Sequence, residues 1–152
     1  MVPRRRWIAY ISDASGEDEL WVAPQTGSGA AKQITKDADT YKYRFFWSPD
    51  GKKLLWADKK LRLQYVDVES RKTTLVEQAT AGEFTDYCWS PDSKWIAYAK
   101  PEETRMTTIM VADQAMEQAW AASPRAGAAS AVRLFCFPYS GANAWAFKGW
   151  QE

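Results

Sequence analysis

Trp47-Ser48-Pro49-Asp50-Gly51-Lys52 returns 42 residues later as Trp89-Ser90-Pro91-Asp92-Ser93-Lys94. The register carries on past the repeated turn. Lys53-Leu54-Leu55-Trp56 aligns with Trp95-Ile96-Ala97-Tyr98, and both align with Trp7-Ile8-Ala9-Tyr10 near the start. A further strand-like stretch follows in each copy: Leu20-Trp21-Val22-Ala23, then Leu63-Gln64-Tyr65-Val66-Asp67, then Ile109-Met110-Val111-Ala112-Asp113. One such turn alone would say little. Two copies in register, with a third partial one, define an internal repeat.

The chemistry of the repeat is that of a tight turn between strands. Proline fixes φ at the first turn position, aspartate bonds the backbone ahead of it, and glycine accepts the left-handed angle that closes the turn. The flanking residues are β-branched or aromatic and mostly alternate with polar ones, as half-buried strands require. A period in the low forties with four short strands per unit predicts blades of a β-propeller. Trp47 and Trp89, just ahead of each turn, are expected between adjacent blades, where packed sheets need bulk.

With strands lettered a to d from the centre of a blade outward, the middle blade is complete. Its strands are a at Lys42–Trp47, b at Lys53–Asp58, c at Arg62–Val68 and d at Thr73–Glu77. The first blade has b (Trp7–Ser12), c (Glu19–Ala23) and d (Lys32–Thr35). The third has a (Phe84–Trp89), b (Lys94–Ala99) and c (Thr107–Ala112). The expected organisation is therefore blades over 1–113 (partial 6–36, complete 42–78, partial 84–113), a helical or flexible linker over 114–131, and a tail over 132–152. The fold class expected is all-β: an incomplete propeller of about two and a half four-stranded blades, with a C-terminal strand.

Composition narrows the functions available. The chain has 152 residues, 20 Lys+Arg against 19 Asp+Glu, nine tryptophans, two cysteines and no histidine. Without histidine no Ser-His-Asp or Cys-His-Asn set can be assembled, nor a zinc site that needs an imidazole. A net charge of +1 argues against a nucleic-acid or anionic-membrane partner. The apolar stretch Trp7–Ile11 is too short for a signal core, and no apolar run approaches the roughly 18 residues of a spanning helix. Cys88 and Cys136 lack metal-ligand spacing, so a reduced, cytoplasmic chain is expected, with each cysteine a small buried hydrophobe.

The blade residues resemble a known family. Phe45-Phe46-Trp47-Ser48-Pro49-Asp50-Gly51-Lys52-Lys53-Leu54-Leu55-Trp56-Ala57-Asp58 is similar to the repeat of TolB-type propellers. Cys88-Trp89-Ser90-Pro91-Asp92-Ser93-Lys94-Trp95-Ile96-Ala97-Tyr98-Ala99-Lys100-Pro101-Glu102 resembles a propeller of the tricorn protease family, a likeness covering about 6–113. The resemblance implies a propeller that flanks a separate serine-protease domain, of which no part is recognisable here. The tail differs. Val132-Arg133-Leu134-Phe135-Cys136-Phe137-Pro138-Tyr139-Ser140-Gly141, with Trp145, Phe147 and Trp150 behind it, resembles the first strand and oxyanion loop of a type II thioesterase. The likeness spans 132–151, and neither a Gly-x-Ser-x-Gly elbow nor a histidine accompanies it. The chain thus looks like pieces of two gene families joined.

Other candidates have bland readings that serve better. Glu17-Asp18-Glu19 could hold a cation, but on a strand-connecting loop it is expected to be a solvated edge. Asp50 and Asp92 could be paired acids, but two identical turns make them turn caps. Lys52, Lys53, Lys59, Lys60 and Arg62, with aromatics nearby, could track single-stranded nucleic acid, and the acidic neighbours Asp50 and Asp58 favour a solvated hairpin. Arg4-Arg5-Arg6 is a weak candidate for an acidic partner. No catalytic, cofactor-binding or metal-binding residue is assigned and no cofactor is expected. The reading is a non-catalytic propeller assembly, completed as a homo-oligomer, with a dimer favoured and protein or peptide as a further partner. The tail strand Val132–Phe137 is available to supply the strand d that the third blade lacks. The alternative is a remnant hydrolase module, thioesterase- or peptidase-associated, that needs a missing catalytic part.

Overall fold

The structure, a computed structural model, describes residues 7–36, 40–104 and 106–114. Among them are ten strands and no α-helix. The chain divides into two compact units, 1–78 and 79–152. The first unit holds two sheets: β1 (Trp7–Ser12), β2 (Glu19–Pro24) and β3 (Lys32–Gln33), then β4 (Lys42–Trp47), β5 (Lys53–Asp58), β6 (Arg62–Asp67) and β7 (Thr73–Gln78). The second holds β8 (Tyr87–Trp89), β9 (Trp95–Pro101) and β10 (Thr107–Asp113). Every pairing is antiparallel between chain neighbours, in the orders β1-β2-β3, β4-β5-β6-β7 and β10-β9-β8. The expected linker beyond Gln114 and the expected tail lie outside the described residues.

The core of the first unit follows from the two-residue period of a strand. Ala9 stands opposite Val22 and Ile11 opposite Leu20, so these four share one face of the first sheet. Trp47, Leu54 and Val66 share one face of the second, as do Phe45 and Trp56. The two faces meet. Leu20, Val22, Ile34, Leu54, Trp56 and Val66 form a buried cluster, with Trp7, Ala9, Ile11, Phe45, Trp47 and Val68 packed against it. Trp47 thus lies where adjacent sheets meet, as its place before the turn predicted. Each fully buried Leu or Val here is worth about 1.5–3 kcal/mol. In the second unit Ile96, Tyr98, Phe84, Tyr87 and Trp89 are buried, and Phe84 meets Tyr98 edge-to-face at 5.8 Å between centroids.

The differences from the sequence reading fall at strand ends, and each has a local cause. β3 was expected to reach Thr35 and stops at Gln33. Beyond it, the N–H groups of Ile34 and Thr35 both donate to the Leu20 carbonyl, at 2.7 and 3.4 Å, while the Thr35 hydroxyl accepts from Leu20 N–H at 2.9 Å. A side chain has replaced a rung of the ladder. β8 was expected from Phe84 and starts at Tyr87. Ala99 N–H still reaches the Asp86 carbonyl, at 2.9 Å, so the pairing frays rather than ends. β4 carries a register shift between Lys42 and Phe45, the mark of a β-bulge.

Candidate functional site

The repeated turns place Asp50 and Asp92 identically. Ser48 hydroxyl donates to Asp50 Oδ1 at 2.6 Å, Lys52 N–H donates to the same oxygen at 3.1 Å, and Lys53 N–H donates to Ser48 Oγ at 2.9 Å. In the second copy Ser90 donates to Asp92 Oδ1 at 2.6 Å, Lys94 N–H at 3.1 Å, and Trp95 N–H to Ser90 Oγ at 2.9 Å. Both carboxylates are turn caps, as expected. The Ser90 hydroxyl, followed by the Lys94 N–H, holds Asp92 below the usual aspartate value. The turns differ at one backbone position: Gly51 has φ 73° and its counterpart Ser93 has φ 63°.

The acidic run Glu17-Asp18-Glu19 corrects the sequence reading. Glu17 is exposed, but Glu19 is fully buried and ion-paired to Lys42 at 3.0 Å, itself only 2 % exposed. Thr35 hydroxyl donates to the same Glu19 oxygen, and Lys42 Nζ donates to the Asp18 carbonyl at 2.8 Å. The pair therefore joins the start of β2 to the start of β4, sheet to sheet. Sequence reasoning treated the run as a solvated edge, although one signal was present. By the repeat, Lys42 occupies the position of Phe84, so a charge stands where the other copy buries an aromatic ring. A charge at a core position has to be paired.

The basic run does not form one surface. Lys52 and Lys53 lie at one end of the β5 strand, with Lys53 Nζ 4.8 Å from the Tyr65 ring centroid. Lys59, Lys60 and Arg62 lie at the other end, after six strand residues, or about 20 Å. There Arg62 is bound by the buried Asp58, whose carboxylate accepts from Arg62 Nε at 2.7 Å, Arg62 N–H at 3.1 Å, Lys60 N–H at 2.9 Å and Gln64 Nε2 at 3.0 Å. The hairpin is solvated at its lysines, as read, but Arg62 is a structural partner rather than a free cation. Lys59 lies 5.7 Å from the centroid of Tyr41, which is edge-on to Tyr43.

Cys88 is half-buried, and burial, aided by the nearby Asp86, pushes its thiol above the usual value. That environment makes a poor nucleophile. Cys136, Ser140, the Phe137–Gly141 loop and Arg4-Arg5-Arg6 lie outside the described residues. Among the described residues, no three His, Cys, Asp or Glu side chains gather as a metal site would require. A shallow depression of about 230 Å³ is lined by Ile34, Thr35, Lys36, Arg71 and Thr73. No helix of the described residues is long and apolar enough to cross a membrane.

Antiparallel meander sheets, linked by a repeated Ser-Pro-Asp turn and packed face to face, are β-propeller architecture. Solved propellers share it. The chain superposes on the crystal structure of the tricorn protease with a TM-score of 0.64 and 25% identity, over 72% of this chain and 11% of that one. It superposes on a TolB structure from Agrobacterium tumefaciens with a TM-score of 0.58 and 23% identity, over 74% of this chain and 40% of that one. Among curated proteins it is 32% identical over 102 residues to a tricorn protease homolog of Saccharolobus solfataricus, covering 67% of this chain and 9% of that protein. The chain thus spans about a tenth of the length of that relative. No family model matches. The resemblance drawn from the two turns is supported on both counts, tricorn-like and TolB-like.

Proposed function

We propose that the chain is a non-catalytic propeller segment that self-assembles with a second copy of itself, a homodimer in the simplest case, and offers a protein- or peptide-binding surface. One observation carries this reading: the described sheets have three, four and three strands, whereas closed propellers use roughly four to eight four-stranded blades. The first sheet leaves Ile8 and Tyr10 exposed on the face away from its core, and β1 borders one strand only among the described residues. Exposed apolar faces and bare strand edges favour association. The two thiols without metal spacing support a reducing, cytoplasmic setting. The thioesterase-like tail supports a chain recombined from two gene families. Light scattering on the full chain tests the self-assembly reading. A dimer is expected, and a stable monomer at micromolar concentration overturns it.

The tricorn protease homologs favour a second reading, a remnant module of a hydrolase that works beside a missing catalytic part. A panel of peptide, ester and thioester substrates separates the two. Turnover abolished by Ser140→Ala would establish the second reading. No turnover above the buffer rate is expected.

A further inference from the structure

The second and third sheets are copies up to the point where the chain leaves β6 and β10. In the second sheet Val68 N–H donates to the Lys52 carbonyl at 2.9 Å as the chain exits β6. In the third, Gln114 N–H donates to the Lys94 carbonyl at 3.1 Å as it exits β10, and Gln114 Nε2 adds a bond to the Ser93 carbonyl at 2.6 Å. Lys52 and Lys94 are equivalent positions of the repeat, so the two exits start from the same place. After the first exit a turn returns the chain. Asp67 accepts from Glu69 N–H at 3.1 Å and Ser70 N–H at 2.8 Å, and β7 then pairs with β6. After the second exit β10 borders β9 alone among the described residues.

The same backbone lattice that holds β7 is therefore presented along Ile109–Ala112. Thirty-eight residues of the chain follow Gln114. Their first stretch, 115–131, is rich in alanine and poor in β-branched residues. The first strand-like run after it is Val132-Arg133-Leu134-Phe135-Cys136-Phe137. A tether of this length closes at small entropic cost, since loop closure grows only with the logarithm of length, and it keeps the run at a high local concentration.

We infer that residues 132–137 of the same chain add to the free edge of β10 as the fourth strand of the third sheet. The inference rests on the repeat of the two sheets and not on the self-assembly reading. It also sets a register. In the second sheet Thr73 pairs with Val66 and Glu77 with Leu63. With Val132 in the place of Thr73, Cys136 takes the place of Glu77 and stands opposite Ile109.

Single cysteines introduced at each position from Thr107 to Ala112 in the full chain, under mild oxidation, test this directly. Mass mapping of the disulfides is the readout, and Leu75→Cys on β7, whose sheet already has four strands, is the control. An intrachain bond to Cys136 is expected, strongest for Ile109→Cys and at least fivefold above the control. No bond to Cys136 at any of the six positions, in variants that keep the native circular dichroism spectrum, overturns the inference. A bond that joins only two chains overturns it as well, because the strand then comes from a second copy. Either result leaves the light-scattering test of self-assembly to be decided separately.

Discussion

Ser93 is the one residue of the two repeated turns that departs from the conformation its side chain prefers. It takes φ 63°, where its counterpart is Gly51 at 73°. A non-glycine residue in the left-handed region costs about 1 kcal/mol, partly offset by the entropy glycine gives the unfolded chain. Ser93→Gly is expected to raise stability by about 0.5–1 kcal/mol, read as a higher urea midpoint. A Cβ at position 51 meets nothing within 4 Å, so Gly51→Ser should lose a similar amount through backbone strain alone. The carboxylates of such turns also set the acid limb. Burial draws Asp67 upward, but the Ser70 N–H and hydroxyl, the Glu69 N–H and Lys53 outweigh it and hold the carboxyl below its usual value. Asp92 is lowered by Ser90 and Lys94. Lowered folded-state values mean that the contribution of both groups is complete above the unfolded aspartate value of about 4 and is lost as pH falls through the folded values. The urea midpoint should therefore drop between about pH 4.5 and 2.5, and the drop should be shallower in Asp67→Asn and Asp92→Asn. Both roles of Asp92 were legible in sequence because its partners lie within a few residues. The Glu19–Lys42 pair was not, because its partner depends on which sheet packs on which.

At the scale of elements, that pair fixes how β2 meets β4. Removing one member strands a buried charge, so Glu19→Gln or Lys42→Met should each cost about 3–5 kcal/mol, while the double change Glu19→Leu with Lys42→Met should cost far less than the sum. A double-mutant cycle by urea denaturation gives the coupling directly. Leu54→Ala, fully buried in the cluster between the two sheets, should cost about 2.5–5 kcal/mol through lost transfer energy and the cavity left behind. The existence and order of the strands were readable from alternation and from the repeat. Their ends were not. β3 stops two residues early because the Thr35 hydroxyl takes the Leu20 amide that a further rung would have used, and no periodicity in the sequence encodes that substitution.

At the scale of the whole molecule, the exposed side of the first sheet offers the sharpest test. Ile8 is 52 % exposed and lies on the face opposite the core, so Ile8→Lys should leave the urea midpoint nearly unchanged. If this face is the contact between copies, the same change should weaken association at least tenfold in sedimentation or light scattering. The propeller architecture was legible because it is written into the chain more than once, whereas the assembly depends on surfaces that no single repeat specifies. The meander itself has a consequence for synthesis. Each strand pairs with the one made just before or after it, so contacts within a sheet close over short stretches of chain. A sheet can complete as soon as its last strand clears the ribosome, before the next repeat is translated. Chain growth and sheet closure then proceed in the same direction, and a polypeptide interrupted between sheets still releases the earlier ones already formed.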